Sequence, residues 1–304
     1  MIWLIGSKGM LGTELSLLLE KSGYSFIGTD SEIDITSLAA LEDFIRTQKN
    51  NTPINLIINC AAYTAVDKAE NDAENCRRLN TLGIGNIAVC AKNINACLIH
   101  ISTDYVFDGE GIIEEGDVPR PYREDDETNP IGVYGLSKRD GELSVLENNP
   151  HSYIIRTAWL YGKYGSNFVR TMLRLMNEKE TIPVVKDQKG SPTWTYDLSE
   201  AIITLLCTID KSPAPYGIYH FTDEGEISWF DFACKIHTLA QKMGILKKNC
   251  VITPCTSADF PAKVKRPAYS VLDKNKIKMA LNIAIPLWDN SLNKFLAMES
   301  ICEN

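Results

Sequence analysis

The sequence predicts an α/β fold: a doubly wound parallel sheet with a smaller C-terminal lobe. Three observations carry this. Met1–Ile5 is a short apolar strand that runs into a glycine-rich turn, after which Leu11, Leu15, Leu18 and Leu19 recur at helical spacing. Near-continuous apolar runs follow at 55–60, 96–101 and 152–155, as expected of strands buried on both faces. Helical patterns separate these runs, and the alternation weakens near residue 156.

The chain of 304 residues has ample length for such a core, and its apolar fraction of 44% and charged fraction of 23% are those of a globular protein. A net charge of -8 with no basic stripe argues against nucleic acid as a partner. No apolar run is long enough to span a membrane, and no basic segment precedes the first strand, so no signal peptide is expected. The nine cysteines are odd in number and lack C-x-x-C spacing, and most sit in apolar segments. They read as reduced, buried thiols in a cytoplasmic protein. The four histidines are scattered, with His100 in a strand and His237 in a helix, and no metal or catalytic role is assigned to them.

In chain order, the turn is Gly6-Ser7-Lys8-Gly9-Met10-Leu11-Gly12. Glycines between a strand and a helix let the backbone approach a pyrophosphate, which the helix N-terminus then holds. The spacing is G-x-x-G-x-x-G. Tyr24–Thr29 is the second strand, and Asp30 at its end lies 18 residues beyond Gly12, where an acidic residue meets an adenosine ribose. A carboxylate there favours NAD over NADP. Asp34 and Ile35 follow, then a helix with Leu38, Leu41, Phe44 and Ile45 on one face. The strand 55–60 ends in Ala61-Ala62-Tyr63, whose first two residues are small enough to leave room for a cofactor. A helical region spans about 66–92 with a break near Gly83. The strand 96–101 ends in Ser102-Thr103-Asp104-Tyr105, and Thr103 is placed to meet a ligand beyond the sheet's carboxyl edge. Residues 109–130 are acidic and proline-bearing and read as a long loop over the site.

The next helix carries Tyr134 and Lys138, four apart and so on one face. An ammonium beside a phenol favours the phenolate and lowers its pKa, which suits a proton donor and acceptor. Ser152–Ile155 leads into Arg156-Thr157-Ala158-Trp159. Later segments read as helices at 167–176, 198–207, 227–242 and 288–296, and as short strands at 182–185 and 217–221. The organisation expected is a dinucleotide-binding domain of the Rossmann type over 1–155, with some later segments returning to its sheet. A mainly substrate-binding lobe occupies 156–304.

Gly6-x-x-Gly9-x-x-Gly12, Ser102-Thr103-Asp104 and Tyr134-x-x-x-Lys138 together resemble the extended short-chain dehydrogenase/reductases. Asn59-Cys-Ala-Ala-Tyr-Thr-Ala-Val-Asp-Lys-Ala-Glu70, Ser102-Thr-Asp-Tyr-Val-Phe-Asp108, Asn167-Phe-Val-Arg-Thr-Met-Leu173, Asp187-Gln-Lys-Gly-Ser-Pro-Thr193 and Arg266-Pro-x-x-Ser270 narrow this. They resemble the family of dTDP-4-dehydrorhamnose reductases over almost the whole chain. The resemblance implies reduction of the 4-keto group of a dTDP-4-dehydro-6-deoxy sugar. Tyr134 would be the proton donor, Lys138 would hold the nicotinamide ribose, and Thr103 would hydrogen-bond the 4-oxygen. Asp104, Tyr105 and Trp159 would line the sugar-nucleotide pocket, although Trp159 taken alone reads equally as a core aromatic. Cofactor contacts would come from the glycine turn, Asp30, Asp34, Ile35, Ala61, Ala62 and Tyr63.

The resemblance implies NADPH as donor with NADH accepted, which sits against the ribose argument from Asp30. Some relatives hold Mg2+ at a dimer contact, but no ligand set for it is matched here, and Glu114-Glu115 reads as solvated loop. Segment 109–124 is a few residues longer than the family pattern. A monomer or a homodimer fits equally. Two other functions stay open: a related sugar-nucleotide 4-ketoreductase or epimerase, and a non-catalytic relative such as the regulatory subunit of methionine adenosyltransferase.

Overall fold

The computed structural model describes residues 1–48, 52–114, 116–209, 211, 213–259 and 264–302. The first half contains β1 (Ile2–Ile5), α1 (Met10–Lys21), β2 (Phe26–Thr29), α2 (Leu38–Gln48), β3 (Leu56–Asn59), α3 (Val66–Ala69) and α4 (Ala73–Arg77). A π-helical turn (Arg78–Gly83), α5 (Ile84–Asn93), β4 (Cys97–Thr103), a 3-10 turn (Asp104–Val106), α6 (Val133–Asn148) and β5 (Ser152–Thr157) complete it. Then come β6 (Leu160–Tyr161), α7 (Phe168–Glu178), β7 (Thr181–Val185), β8 (Lys189–Gly190), β9 (Thr193–Trp194) and α8 (Thr195–Ile209). The chain ends with β10 (Gly217–His220), β11 (Ile227–Ser228), α9 (Trp229–Lys242), β12 (Val251–Cys255), α10 (Asn275–Leu281) and α11 (Trp288–Cys302).

Six strands form one parallel sheet in the order β2-β1-β3-β4-β5-β10. Strand residues alternate between two cores, as a period of two requires. Ile2, Leu4, Leu56, Ile58 and Ile99 pack on one face against α1, α8 and α10. Trp3, Ile5, Ile57, Leu98 and Ile154 pack on the other against α2, α5 and α6. A third core joins α7, α9 and α11 with β7, Tyr161 and Trp194. Thus β10, α8 and α10 belong to the sheet although they lie beyond residue 156. β2 and β3 flank β1 on opposite sides, so the order reverses there and leaves a crevice beyond the carboxyl ends of β1 and β3.

Several expectations need correction. The helical region 66–92 breaks first at 70–72, where Asn71 and Asp72 donate backbone N–H groups to Lys68 (3.0 Å) and Ala69 (3.2 Å). Near Gly83 it widens into the π-turn instead of stopping, and Ile35 packs where a Gly83 side chain would stand. Leu38 is exposed on α2. Of the cysteines whose side chains are described, Cys76, Cys90, Cys97 and Cys250 are buried, while Cys207 is exposed on the outer face of α8.

None of the described residues of 109–130 lines the cavity described below. The Tyr122 ring is buried and stacks on Phe107, centroids 4.2 Å apart. Its backbone N–H donates to Val271 O (2.9 Å), which draws the segment down beside the sheet. Glu114 is exposed, as expected of a solvated loop, and accepts from Arg120 (2.6 Å); Glu115 lies outside the described residues. No helix among the described residues is long and apolar enough to cross a membrane.

Candidate active site

The glycine turn is built for close approach. Gly6 has φ 78°, and a Cβ there would stand 2.6 Å from the Ala61 nitrogen. A Cβ on Gly12 would stand 2.0 Å from Gly6 O. Gly9 caps α1 without a side-chain hydrogen bond, so the first-turn amides remain available to an anion. The turn brings Gly6, Lys8, Gly9, Met10, Leu11 and Gly12 to the crevice between β1 and β3, although the Leu11 side chain is in the core.

Asp30 ends β2 beside this turn. Its Oδ2 accepts the Lys8 backbone N–H (3.2 Å) and its Oδ1 accepts that of Ser31 (2.9 Å). Lys8 Nζ pairs with Glu32 (3.1 Å) in the open. Asp34 caps the next turn through Thr36 N–H (2.9 Å) and Oγ1 (2.8 Å), and the Thr36 side chain is the first cause holding its carboxyl below the ordinary value. The Ile35 side chain is committed to the core, which leaves its backbone as the only contact it can offer.

Two buried asparagines fold the loop after β3. Asn59 accepts Ala61 N–H on Oδ1 (3.2 Å) and donates Nδ2 to Ala61 O (3.2 Å). Asn80, in the π-turn, accepts Tyr63 N–H (2.8 Å) and donates to Tyr63 O (3.0 Å) and Ser137 Oγ (3.1 Å). Together they place Ala61, Ala62 and Tyr63 between the glycine turn and α6. A Cβ on Gly141 would lie 2.2 Å from Asn80 O, so glycine lets α6 press on the π-turn.

β4 runs two residues further than the expected strand, and this carries Thr103 to its last position. Thr103 Oγ1 donates to Asp104 Oδ1 (2.9 Å) and accepts Tyr105 N–H (3.2 Å). Tyr134 meets this group from α6, because Gly135 leaves room: a Cβ there would lie 2.2 Å from Tyr105 O. The Tyr105 and Tyr134 rings meet edge to face at 5.5 Å. Burial pushes the Tyr134 phenol well above its ordinary value, and a hydrogen bond with Thr103 pulls it back in part. The expectation that Lys138 lowers it is therefore corrected: desolvation of the phenolate dominates, and Lys138 aims elsewhere. Lys138 Nζ donates to Ile101 O (2.8 Å) and lies 3.4 Å from His100 Nε2. Burial lowers it from 10.5 to about 8, against the opposing pull of Glu142. Burial also raises Asp104 to about 6.

Beside this group opens a cavity of about 660 Å3. Asp104, Tyr105 and Trp159 line it, with Asp67, Phe168, Trp229, Gln188, Arg266 and Ser270. Trp159 has φ 47°, a backbone state that costs a bulky residue of order 1 kcal/mol. It lies flat on Trp229, centroids 3.5 Å apart, with Gly190 against its edge, where a Cβ would come within 2.6 Å of the ring. Arg266 donates to Tyr105 Oη (3.0 Å) and to the Asp67 carboxylate. A second groove of about 820 Å3, on α4–α6, contains none of the candidate residues.

The chain matches, over residues 1–301, the family model described as the RmlD substrate binding domain. A dTDP-4-dehydrorhamnose reductase of Aggregatibacter actinomycetemcomitans is 39% identical over 295 residues, covering 96% of this chain and 97% of that one. The chain belongs to the dTDP-4-dehydrorhamnose reductase family. Among solved members of that family, the Clostridium acetobutylicum protein is 39% identical with a TM-score of 0.87, covering 98% of this chain and 99% of its own. The Bacillus anthracis enzyme, solved in complex with NADP, is 36% identical with a TM-score of 0.87 and covers 98% of each chain.

Sequence reasoning missed Asn80 and Trp229 as parts of this site, met Asn59, Gly190 and Arg266 only inside motifs, and gave His100 no role. Polar residues at buried strand and helix positions, as Asn59, Asn80 and His100 are, were the available signal.

Proposed function

We propose that the protein reduces the 4-keto group of dTDP-4-dehydro-6-deoxy-L-mannose to give dTDP-L-rhamnose, with NADPH as donor and NADH accepted, in the cytoplasm. The observation that carries this reading is Tyr134 hydrogen-bonded with Thr103 at the carboxyl end of β4, with Lys138 one turn further along α6 on the Ile101 carbonyl, beside a cavity of about 660 Å3 walled by Trp159 and Trp229. The turn at Gly6–Gly12 fits a dinucleotide, because Gly6 and Gly12 let the turn fold tightly on itself and on Ala61, and the uncapped amides at the start of α1 are left for a pyrophosphate. When bound, the reduced nicotinamide supplies the hydride to sugar C4.

The chain's own residues handle the oxygen and the proton. Thr103 Oγ1, turning its proton from Asp104 Oδ1, donates to the 4-oxygen as negative charge grows on it. Tyr134, kept protonated by burial, gives its proton to that oxygen, so the carbonyl becomes an alcohol and the phenol a phenolate. Lys138, as an ammonium held on the Ile101 carbonyl, returns a proton to the phenolate through a bridging hydroxyl or water. Asp104, Tyr105 and the Trp159–Trp229 pair hold the sugar nucleotide, and the lobe of residues 156–304 supplies much of that wall.

The test is purified protein with NADPH and enzymatically prepared dTDP-4-dehydro-6-deoxy sugar. Cofactor oxidation, with a product identified by NMR as dTDP-L-rhamnose, is expected. A different C4 epimer would move the reading to another 4-ketoreductase, and no turnover on any 4-keto sugar nucleotide would leave the non-catalytic relative.

A further inference from the structure

His100 lies in the middle of the sheet, fully buried, between Asn59 on β3 and Lys138 on α6. Asn59 has only one way to sit. The Ala61 N–H must meet its carbonyl oxygen (3.2 Å) and the Ala61 carbonyl must meet its NH2 (3.2 Å), since the reverse would set two donors and two acceptors against each other. The same NH2 then faces His100 Nδ1 at 3.0 Å. Nδ1 must accept, so the single proton of the neutral ring sits on Nε2. Burial keeps the ring neutral by pulling its pKa well below the ordinary value. Nε2–H therefore points at Lys138 Nζ, 3.4 Å away.

An N–H aimed at an ammonium opposes it, while an N–H aimed at an amine lone pair makes a hydrogen bond. The geometry points to His100, locked by Asn59, as a positioning residue that favours the neutral amine of Lys138 and so promotes release of its proton. This rests on the role given to Lys138 above. When Tyr134 has lost its proton to the sugar oxygen, Lys138 refills it. The amine left behind accepts from His100 Nε2–H and is later reprotonated by water. The other groups facing Lys138 are the Ile101 carbonyl on β4, Glu142 on its own helix, Cys60 after β3 and Cys76 on α4. Glu142 and Ile101 O favour the ammonium; His100 works against them.

The experiment has one arm that needs no substrate. In protein labelled with 15N-histidine, assigned by comparison with His100→Gln, His100 should show an unprotonated Nδ1 and a protonated Nε2 at neutral pH. The opposite tautomer, or a charged ring, would overturn the proposal without any activity measurement. In the second arm, 13Cε-lysine spectra follow the titration of Lys138. In His100→Gln the amide is free to turn its oxygen to the lysine, and the Lys138 midpoint should rise by about one unit, a tenfold change in acidity. The alkaline limb of kcat/KM should rise with it. A midpoint that stays in place would refute the idea. A protein with the expected tautomer and midpoint shift that turns over no 4-keto sugar nucleotide would retain the device and reject the assigned reaction.

Discussion

The Trp159 indole lies on the Trp229 indole with ring centroids 3.5 Å apart and planes 9° from parallel. One comes from the strand-end loop after β5 and the other opens α9, so the stack ties the sheet to the lobe across the cavity. An aromatic pair of this kind contributes about 0.5–1.5 kcal/mol beyond its buried area. Trp229→Ala should therefore raise KM for the sugar nucleotide roughly two- to tenfold and leave kcat and cofactor affinity nearly unchanged. Steady-state kinetics with each substrate varied in turn would check this, and an unchanged KM would show that Trp159 does not need its partner.

Tyr134→Phe removes the proposed proton donor and little else, because the ring keeps its edge-to-face contact with Tyr105 at 5.5 Å. General-acid catalysis of this kind contributes about 10²–10⁴-fold, so turnover should fall by that range. Cofactor affinity, measured by fluorescence titration, should hold. Activity close to wild type would place the donor elsewhere.

The sheet was legible because buried parallel strands leave long apolar runs, and Tyr134 with Lys138 because helical spacing puts them on one face. Thr103 was legible as the end of an apolar run. What the sequence hid depends on contacts between distant segments. Trp229 stands 70 residues beyond Trp159, and no periodicity links them. His100 reads as a flaw in an apolar strand until Asn59 and Lys138 are seen on either side of it. The acidic composition of 109–130 suggested a solvated cover, whereas one buried tyrosine, Tyr122, anchors it beside the sheet. The direction of the Tyr134 shift was misjudged for a related reason: spacing gives proximity of a charge but not the desolvation that outweighs it.

Asp30 offers a test of cofactor choice. Its carboxylate binds the amides of Lys8 and Ser31 and sits beside the turn where the ribose is expected. A carboxylate near a 2′-phosphate at effective surface dielectric costs of order 1 kcal/mol or more. Asp30→Ala should raise the NADPH-to-NADH ratio of kcat/KM about fivefold or more. If wild type already prefers NADPH strongly and the variant leaves the ratio alone, Asp30 faces away from the ribose.

Behind the site, Arg156 and Glu142 form a buried ion pair at 2.7 Å, with side-chain exposures of 2% and 3%. Ser102 Oγ donates to the same carboxylate (2.5 Å), and the guanidinium lies over the Phe107 ring. Removing one partner strands the other charge in the interior, at a cost of about 3–5 kcal/mol. Glu142→Leu and Arg156→Met should each lower denaturant stability by that order. The double variant should lose clearly less than the sum, since no charge is left unpaired. Strict additivity in a double-mutant cycle would mean the two do not act as a pair.

Asp223 is fully buried, accepts Trp194 N–H on Oδ2 (3.1 Å), and has Asp197 as its neighbour. Desolvation comes first, and repulsion from Asp197 second, in pushing its carboxyl well above the ordinary value of 3.8. A folded-state pKa above the unfolded one means the folded protein holds this proton longer. The stabilisation is complete below the unfolded value and is lost as pH rises through the raised folded one. Asp197 is raised by the same cause and adds in the same sense. Each unit of the shift corresponds to about 1.4 kcal/mol. Asp223→Asn keeps an oxygen for Trp194 N–H and carries no charge at any pH. Its melting temperature relative to wild type should therefore climb as pH rises above the unfolded carboxylate value of about 4. A difference that stays flat or shrinks over that range would mean that Asp223 is ionised in the folded protein.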